Sequence, residues 1–328
     1  MTLWERVAEL PVEIDGLALE RRELSLASGW TRVTTTVLLH GGGETGEGED
    51  VTYDPAGHDS FPQPDLVGSH LFWQYSRLLD GVAVGGGDRD HRRWAFESAA
   101  LDLALRQSGR TLAAALGREA LPVRFVVSTR RGIEEWLSLY PGLRFKVDAE
   151  RAWAGPAMTR LARTGAIDTV DLKAYYVGDF ADFPREPERY RLVAAAFPDA
   201  VLEDAWLEDG CREALADAEP RLSFDAPIHS LADLDALPFE PRWLNVKPSR
   251  FGRVQELLEV IDACERRGIS MYGGGQFELG PGRRQIQTLA SALYPDGPND
   301  VAPSVYNEGG PRPGLPRSPL PPQEHIGF

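Results

Sequence analysis

Short apolar segments recur through the second half of the chain, and each of them ends in a charged residue. The charged ends are Lys146, Asp171, Glu203, Asp225 and Lys247, and each interval between them is long enough for one strand and one helix. Apolar strands that alternate with helices are typical of a parallel α/β sheet, and a long series of them indicates a barrel. In a (β/α)₈ barrel the carboxyl ends of the strands form the active site, so we expect these side chains to meet at one mouth.

The same pattern predicts eight strands in this half of the chain, with seven helices between them. The predicted strands are residues 123–128, 143–148, 168–173, 200–204, 221–225, 242–247, 269–273 and 301–306. The fold class that follows is α/β, with a parallel sheet that closes into a barrel.

The first part of the chain has a different pattern. Alternating and β-branched residues at 12–24 and 31–40 predict strands. Residues 91–109 predict a helix with a wide apolar face. Glu97 and Asp102 lie on or beside that face, and we expect them to be exposed or capping charges.

A glycine-rich segment at residues 41–50 follows the second of these strands. Gly41, Gly43 and Gly46 formally satisfy the G-x-G-x-x-G pattern of a dinucleotide-binding turn. The acidic residues around them would repel a pyrophosphate, and no helix follows whose N-terminus could hold one. We therefore interpret the segment as a turn-rich acidic loop, which excludes a dinucleotide-binding fold.

Composition narrows the classes of partner. The net charge of −15 argues against nucleic acid, which needs a basic surface. No apolar run approaches the roughly 18 residues of a membrane span, and the N-terminus lacks a basic segment followed by an apolar core. The expected location is the cytoplasm, where Cys211 and Cys264 are expected to be reduced and structural.

Three of the strand-end residues are carboxylates from successive strands, namely Asp171, Glu203 and Asp225. Three converging carboxylates cannot all stay ionised unless a cation neutralises them. An all-oxygen set suits a hard ion, most naturally Mg²⁺. The α-proton of a metal-bound carboxylate is acidified, and a nearby lysine with a lowered pKa can remove it. A single strand-end charge is more often a cap or a surface ion pair, but five in succession are harder to explain in that way.

Five stretches of the chain carry motifs of a known enzyme family. They are residues 33–49, 92–117, 202–209, 223–234 and 244–282. The first two resemble the end of the family's capping-domain sheet and its long helix. The others, LEDAWLED, SFDAPIHSLADL and the run that begins LNVKPSRFG, resemble its motifs "iEdP", "DEs" and "niKpsR.G". On these motifs the chain resembles the enolase superfamily, and most closely its muconate lactonizing enzyme and o-succinylbenzoate synthase group.

The resemblance implies both a domain organisation and a chemistry. It implies a modified TIM (β/α)₇β barrel at residues 119–306 and an N-terminal α+β capping domain at residues 1–118, completed by the C-terminal residues 307–328. It also implies Mg²⁺ and an enolate intermediate, formed when a proton α to a carboxylate is removed. This mechanism is taken over from the family and is not worked out from the residues.

Matching positions imply roles for five residues. Asp171, Glu203 and Asp225 would be the metal ligands, Lys146 the acid/base of the second strand and Lys247 that of the sixth.

The chain departs from the family pattern next to the first ligand. Lys173 stands where the family has asparagine, and it would be either the base in place of Lys146 or a counter-ion that weakens metal binding. Asp148 competes with Asp171 as the first ligand, because FKVDAERAW also resembles the family's "vDaN..W", although counting strands favours Asp171. Ala226 replaces the second residue of "DEs".

Further residues are candidates for the substrate pocket. They are Asp148, Asn245 on the strand face of the sixth-strand lysine, Gln276 and Glu278 after the seventh strand, and Trp30 as a lid residue. No histidine lies between His229 and His325, which disfavours sugar-acid dehydration. The predicted eighth strand contains APSVYN and lacks the D-x-D of dipeptide epimerases, which disfavours that reaction.

The main functional hypothesis is a Mg²⁺-dependent lyase or isomerase acting on a small-molecule carboxylate. A lysine pair across a metal fits elimination of the o-succinylbenzoate synthase type, racemisation or cycloisomerisation. The alternatives are a metal-independent lysine-based enzyme, with Lys173 in place of the cation, and a non-catalytic carboxylate-binding barrel. No nucleic-acid or membrane partner is expected, and association into a homo-oligomer stays open.

Overall fold

The fold joins small antiparallel sheets near the N-terminus to a larger parallel sheet. The computed structural model describes residues 1–26, 29–82, 89–153, 155–178, 181–307 and 309–328. The strands of these residues are β1 (Pro11–Ile14), β2 (Gly16–Ser25), β3 (Thr31–Gly41), β4 (Glu44–Asp50), β5 (Gly68–Leu71), β6 (Val127–Ser128), β7 (Phe145–Asp148), β8 (Ile167–Asp171), β9 (Val201–Glu203), β10 (Leu222–Phe224), β11 (Trp243–Val246) and β12 (Ser270–Gly273).

Helices connect and cover the strands. They are α1 (Leu3–Val7), α2 (Phe72–Leu78), α3 (Arg89–Gln107), α4 (Leu112–Leu116), α5 (Ile133–Leu139), α6 (Gly155–Arg163), α7 (Pro187–Ala196), α8 (Cys211–Ala214), α9 (Leu231–Asp235), α10 (Pro248–Phe251), α11 (Val254–Arg267) and α12 (Pro281–Leu293). Short 3₁₀ helices lie at Pro55–His58, Ala216–Arg221 and Ser304–Tyr306. None of the helices formed by the described residues has the length and apolar composition that a bilayer crossing requires.

The antiparallel sheet of β2, β3 and β4 contradicts the prediction of a turn-rich loop at residues 41–50. Only Gly42 and Gly43 form the turn, both with positive φ, and Glu44–Asp50 pairs with β3 as strand β4. The glycines have a packing reason. A Cβ on Gly46 would lie 2.2 Å from the carbonyl oxygen of Ala99, and one on Gly48 would lie 2.0 Å from that of Ala95. Glycine therefore allows β4 to lie directly against helix α3.

Helix α3 confirms the predicted helix but not the predicted exposure of its charges. Glu97 and Asp102 are both fully buried. Glu97 is paired with Arg93, and Asp102 with Arg106. Because a buried charge is costly unless it is paired and hydrogen-bonded, these carboxylates are part of the packed interior.

The larger sheet has seven parallel strands in the described residues, in the spatial order β12-β11-β10-β9-β8-β7-β6. Seven of the eight predicted strands are thereby confirmed. The prediction of an eighth strand at 301–306 is wrong, because Ser304–Tyr306 is a 3₁₀ helix. Isolated parallel bridges instead join Asn299 to Phe125 and Asp300 to Gly274.

The C-terminal residues return to the N-terminal part of the chain. Gly327 forms a parallel bridge with Thr111 at the start of α4, and the backbone N–H of Phe328 donates a hydrogen bond to Asp102. The ring of Phe328 is fully buried and contacts Trp94 edge-on. The division into domains at residue 118 stays a prediction.

Candidate active site

The register of the parallel sheet aligns charged residues at one edge. Asp148 at the end of β7 pairs with Asp171 at the end of β8, which pairs with Glu203 at the end of β9. Lys146 lies two residues before Asp148 and shares its strand face. Asp171 and Glu203 are fully buried, so their charges depend on partners within the protein.

The ammonium group of Lys146 lies between two of these carboxylates. Lys146 Nζ donates a hydrogen bond to Glu203 Oε1 and lies 3.5 Å from Asp171 Oδ2. Burial by itself lowers the pKa of Lys146, but the charges of Glu203 and Asp171 outweigh burial and raise that pKa well above its usual value. Without a further cation, Lys146 is therefore an ammonium ion.

Glu203 accepts hydrogen bonds at both of its carboxylate oxygens. Its Oε2 accepts hydrogen bonds from Asn245 Nδ2, at 2.9 Å, and from the hydroxyl of Tyr272. Burial raises the pKa of Glu203 to about 7, and the charges of Asp171 and Asp225 add to the rise while Lys146 opposes it. The lysines present do not fully neutralise this position.

Lys173 is the second lysine that contacts Asp171. The backbone N–H of Lys173 donates to Asp171 Oδ1 at 3.0 Å, and its Nζ donates to Asp171 Oδ2 at 2.5 Å. The same Nζ lies 3.3 Å from Asp148 Oδ1, while Arg130 binds Asp148 Oδ2. Burial alone would raise the pKa of Asp171, but Lys173 and Lys146 hold that pKa below its usual value.

Lys247 belongs to a second ion cluster, around Asp225. Lys247 Nζ lies 2.7 Å from Asp225 Oδ2, which also accepts a hydrogen bond from the hydroxyl of Tyr176. Arg250 Nε lies 3.3 Å from Asp225 Oδ1. Burial would raise the pKa of Asp225, but Arg250 and Lys247 lower it. A Cβ on Gly274 would lie 2.6 Å from Asn245 Oδ1 and 2.9 Å from Lys247 Cε, so glycine leaves room for both side chains between the two clusters.

Asp204 is the remaining buried carboxylate of this edge. Its oxygens accept the backbone N–H groups of Asp225 and Ala226, at 2.8 and 3.0 Å, and thus hold the end of β10. No lysine or arginine of the described segments forms an ion pair with it. Burial, together with Asp225 and Asp171, raises its pKa well above the usual value.

Strained backbone occurs close to these strand ends. Among the described residues, four non-glycine residues have positive φ, and three of them, Lys173, Asp204 and Phe277, with φ of +50°, +53° and +58°, lie one to four residues after a strand of the parallel sheet, whereas Asp209 lies farther along. Such conformations are uncommon and often occur at functional sites.

The donor chemistry of this edge fits a hard divalent cation. Oxygen atoms of Asp171, Glu203 and Asp204 lie within 4.8 Å of one another, and all three residues are buried. Asp225 Oδ1 is buried and accepts no hydrogen bond within the described part of the chain. Carboxylate oxygens are the ligands that Mg²⁺ prefers, and the raised pKa values of Glu203 and Asp204 indicate uncompensated negative charge. Neither Asp148 nor Asp225 is part of this converging group.

The site contains every lysine of the sequence. Lys146, Lys173 and Lys247 are its only lysines, within a total of 35 lysines and arginines. An amine releases its proton far more readily than a guanidinium, which stays charged in proteins. In a chain that otherwise uses arginine, lysine at these positions favours proton-transfer chemistry over ion pairing alone.

The predicted pocket residues are placed near the site but are mostly buried. Gln276 accepts a hydrogen bond from the hydroxyl of Tyr53, and Glu278 pairs with Arg283. Trp30 is 38% exposed, and its ring stacks against Tyr53 and meets Phe277 edge-on.

Several polar residues at this edge escaped the sequence analysis. They are Tyr176, Asp204, Arg250, Tyr272 and Asp300. Asp204 and Arg250 stand inside matched motifs and could have been found there, whereas the two tyrosines had no distinguishing pattern. Asp300 Oδ2 lies 4.0 Å from Lys146 Nζ. Asp300 lies just before residues 301–306, where the sequence pattern predicts the eighth strand, and for that reason it was not among the candidates.

Two curated proteins are similar to this chain. It is 30% identical to an N-succinylamino acid racemase of an Amycolatopsis species over 219 residues, which cover 62% of this chain and 58% of that protein. It is 26% identical to the o-succinylbenzoate synthase of Bacillus subtilis (strain 168) over 258 residues, 74% of this chain and 66% of that protein. In both cases the match spans less than two thirds of the relative's length.

Solved structures share the fold. A member of the enolase superfamily from Listeria innocua matches with a TM-score of 0.63 at 19% identity, covering 90% of this chain and 86% of that one. A dipeptide epimerase from Methylococcus capsulatus, solved in complex with a Mg ion, matches with a TM-score of 0.64 at 19% identity, covering 86% and 88%.

Family models account for most of the chain. Residues 5–115 match the model described as the N-terminal domain of "Domain of unknown function (DUF8230)", and residues 119–308 match its C-terminal domain. The chain therefore belongs to the DUF8230 family and has the fold of the enolase superfamily.

Proposed function

We propose that this protein is a Mg²⁺-dependent enzyme that removes the α-proton of a small carboxylate substrate, as a racemase or lyase. The observation that carries the proposal is the position of its lysines. Lys146 on β7 and Lys247 after β11 flank the three strands β8, β9 and β10, whose ends carry Asp171, Glu203 and Asp225.

The proposed scaffold is a modified (β/α)₇β barrel under an N-terminal capping domain. The bridges of Asn299 to Phe125 and of Asp300 to Gly274 support closure, since they connect one segment to both ends of the parallel sheet. A closed barrel would bring Lys146 and Lys247 to face each other across one mouth.

Asp171, Glu203 and Asp225 would hold the metal ion. We prefer Asp225 to Asp204 as the third ligand because both oxygens of Asp204 already accept backbone N–H groups, whereas Asp225 Oδ1 is buried without a hydrogen-bond donor among the described residues. Bound Mg²⁺ would supply positive charge that stabilises a substrate carboxylate as its α-proton leaves.

The two lysines would divide the proton transfer. Lys247 Nζ would take the α-proton, and Lys146 Nζ, which pairs with Glu203 and Asp171 in this structure, would deliver one from the opposite side. Delivery to the carbon from which the proton came would invert its configuration. Delivery to a leaving group would complete an elimination.

N-succinyl amino acids are the substrates to test first. The names of both curated relatives refer to succinyl-bearing carboxylates, and one of them is a racemase. Incubation of the protein with Mg²⁺ and a panel of these compounds in D₂O should replace the α-proton by deuterium, as detected by NMR.

Glu203→Gln tests the metal site directly. The amide keeps the size of the side chain but removes one of the charges that the ion needs, so we expect Mg²⁺ affinity to fall by about tenfold or more. Isothermal titration calorimetry with Mg²⁺ on the wild type and the variant measures this change. Glu219→Gln is the matched control, because that glutamate is half-buried and pairs with Arg212 away from the site. Equal binding by all three proteins would contradict the assignment of Glu203.

A further inference from the structure

Lys173 contacts both carboxylate oxygens of Asp171, the first proposed metal ligand. Its backbone N–H contacts one carboxylate oxygen of Asp171, and its Nζ contacts the other at 2.5 Å. The left-handed backbone at Lys173, with φ of +50°, accompanies this return of the side chain toward the residue two positions before it. The negative charge of Asp171 is therefore already balanced by a lysine only two residues farther along the chain.

Lys173 also has a second position within reach. Its Nζ lies 3.3 Å from Asp148 Oδ1, a carboxylate outside the group of converging oxygens, and 4.8 Å from the centre of the Tyr176 ring. A small rotation would move the ammonium group from Asp171 to Asp148 while keeping it paired with a carboxylate and over an aromatic face.

A divalent cation competes with the ammonium group of Lys173 for Asp171. Two like charges a few ångströms apart in a buried site repel each other strongly. The Nζ of Lys173, at 2.5 Å from Asp171 Oδ2, is closer to this carboxylate than the Nζ of Lys146, at 3.5 Å, so an ion that binds Asp171 acts first on Lys173. We propose that Lys173 is a built-in counter-ion of the metal site, which a divalent cation displaces from Asp171 toward Asp148 and which weakens binding of that cation. This inference rests on the proposed metal site and adds a residue that lowers the affinity of that site for its cation.

Calorimetry with Mg²⁺ on matched variants tests the inference. Lys173→Gln removes the competing charge, and its affinity for Mg²⁺ should be at least about tenfold higher than that of the wild type. Lys173→Arg keeps the charge and should bind as weakly as the wild type. Arg124→Gln is the control, because it removes the same charge from Asp168, three residues before Asp171 on β8, and should change affinity by less than about twofold.

A second measurement follows the Lys173 side chain by NMR. The titrated protein is the wild type, and variants are needed only to assign the signals. The sequence has three lysines, so labelling with [¹³Cε]lysine yields three lysine signals, each assigned by its Lys→Arg variant. Titration of the wild type with Mg²⁺ should shift the Lys173 signal in step with the binding measured by calorimetry.

The outcomes separate this inference from the proposed function. If Lys173→Gln binds Mg²⁺ no more tightly than the wild type, or if the Lys173 signal is unchanged at saturation, the counter-ion role is overturned while the metal site stands. If neither the wild type nor any Lys173 variant binds Mg²⁺, the metal site itself is overturned, and the inference with it.

Discussion

Lys247→Arg should lower the rate of α-proton exchange by about 10³-fold while leaving the ion pair with Asp225 in place. Guanidinium keeps the positive charge that faces Asp225 but does not release its proton at neutral pH, so it cannot serve as the base. The measurement is deuterium incorporation into N-succinyl amino acids in D₂O with Mg²⁺, followed by NMR. Calorimetric Mg²⁺ binding by the same variant should stay close to that of the wild type.

Lys247→Met completes this test by removing charge and proton together. If positive charge beside Asp225 were all that mattered, Lys247→Arg would retain exchange and Lys247→Met would lose it. Equal loss in both variants assigns the effect to proton transfer. Exchange that persists in both would show that Lys247 is not the base, and Lys146→Arg would then be the variant to compare.

The strand ends of the parallel sheet could be predicted because a short local pattern, an apolar run followed by a charged residue, marks each of them. An apolar run that stops at Asp171 or Glu203 contains both the strand and its functional end, and the parallel register then brings these ends together. Seven strands were located in this way, within a few residues of their bounds. The partners of these side chains were not predictable, because Tyr272 and Asn245 reach Glu203 from strands far away in the sequence.

The eighth strand was predicted wrongly because the contacts of this segment do not repeat along the chain. Among the described residues, the segment after α12 bridges the sheet through Asn299 and Asp300, and two bridging residues carry no periodic signal. The segment at 301–306 resembled a strand because it contains apolar residues, of which Val301, Ala302 and Tyr306 are buried, although Ser304–Tyr306 forms a 3₁₀ helix. Periodicity reports burial, and it indicates a strand only where pairing continues over several residues.

The charges of α3 were misread for a related reason. The apolar pattern of α3 indicates which side of the helix faces the core, but it gives no information about the burial of Glu97 and Asp102. Their burial depends on contacts with Arg93, Arg106 and the C-terminal Phe328. A carboxylate is expected outside unless its partners are known. Only the fold brings those partners together, so the sequence alone favoured exposure.

Gly48→Ala should lower the free energy of unfolding by about 3 kcal/mol, measured by urea denaturation. The segment around Gly48 looked like a loop because glycine is rare inside strands, but here glycine is required by the approach of β4 to α3. The added methyl group would lie 2.0 Å from the carbonyl oxygen of Ala95 and 2.8 Å from the backbone nitrogen of Ala99. Both are backbone atoms of one helix, so relief of the clash must move the strand or the helix as a whole.

Gly16→Ala is the matched control for this prediction. Gly16 begins β2 in the same sheet, and a Cβ there would meet no atom within 4 Å, so its substitution should change stability by less than about 1 kcal/mol. The comparison separates the steric effect of a methyl group from the general effect of replacing glycine in a strand. Similar stability of the two variants would mean that β4 and α3 are farther apart than described, and that the glycines of this strand have another cause.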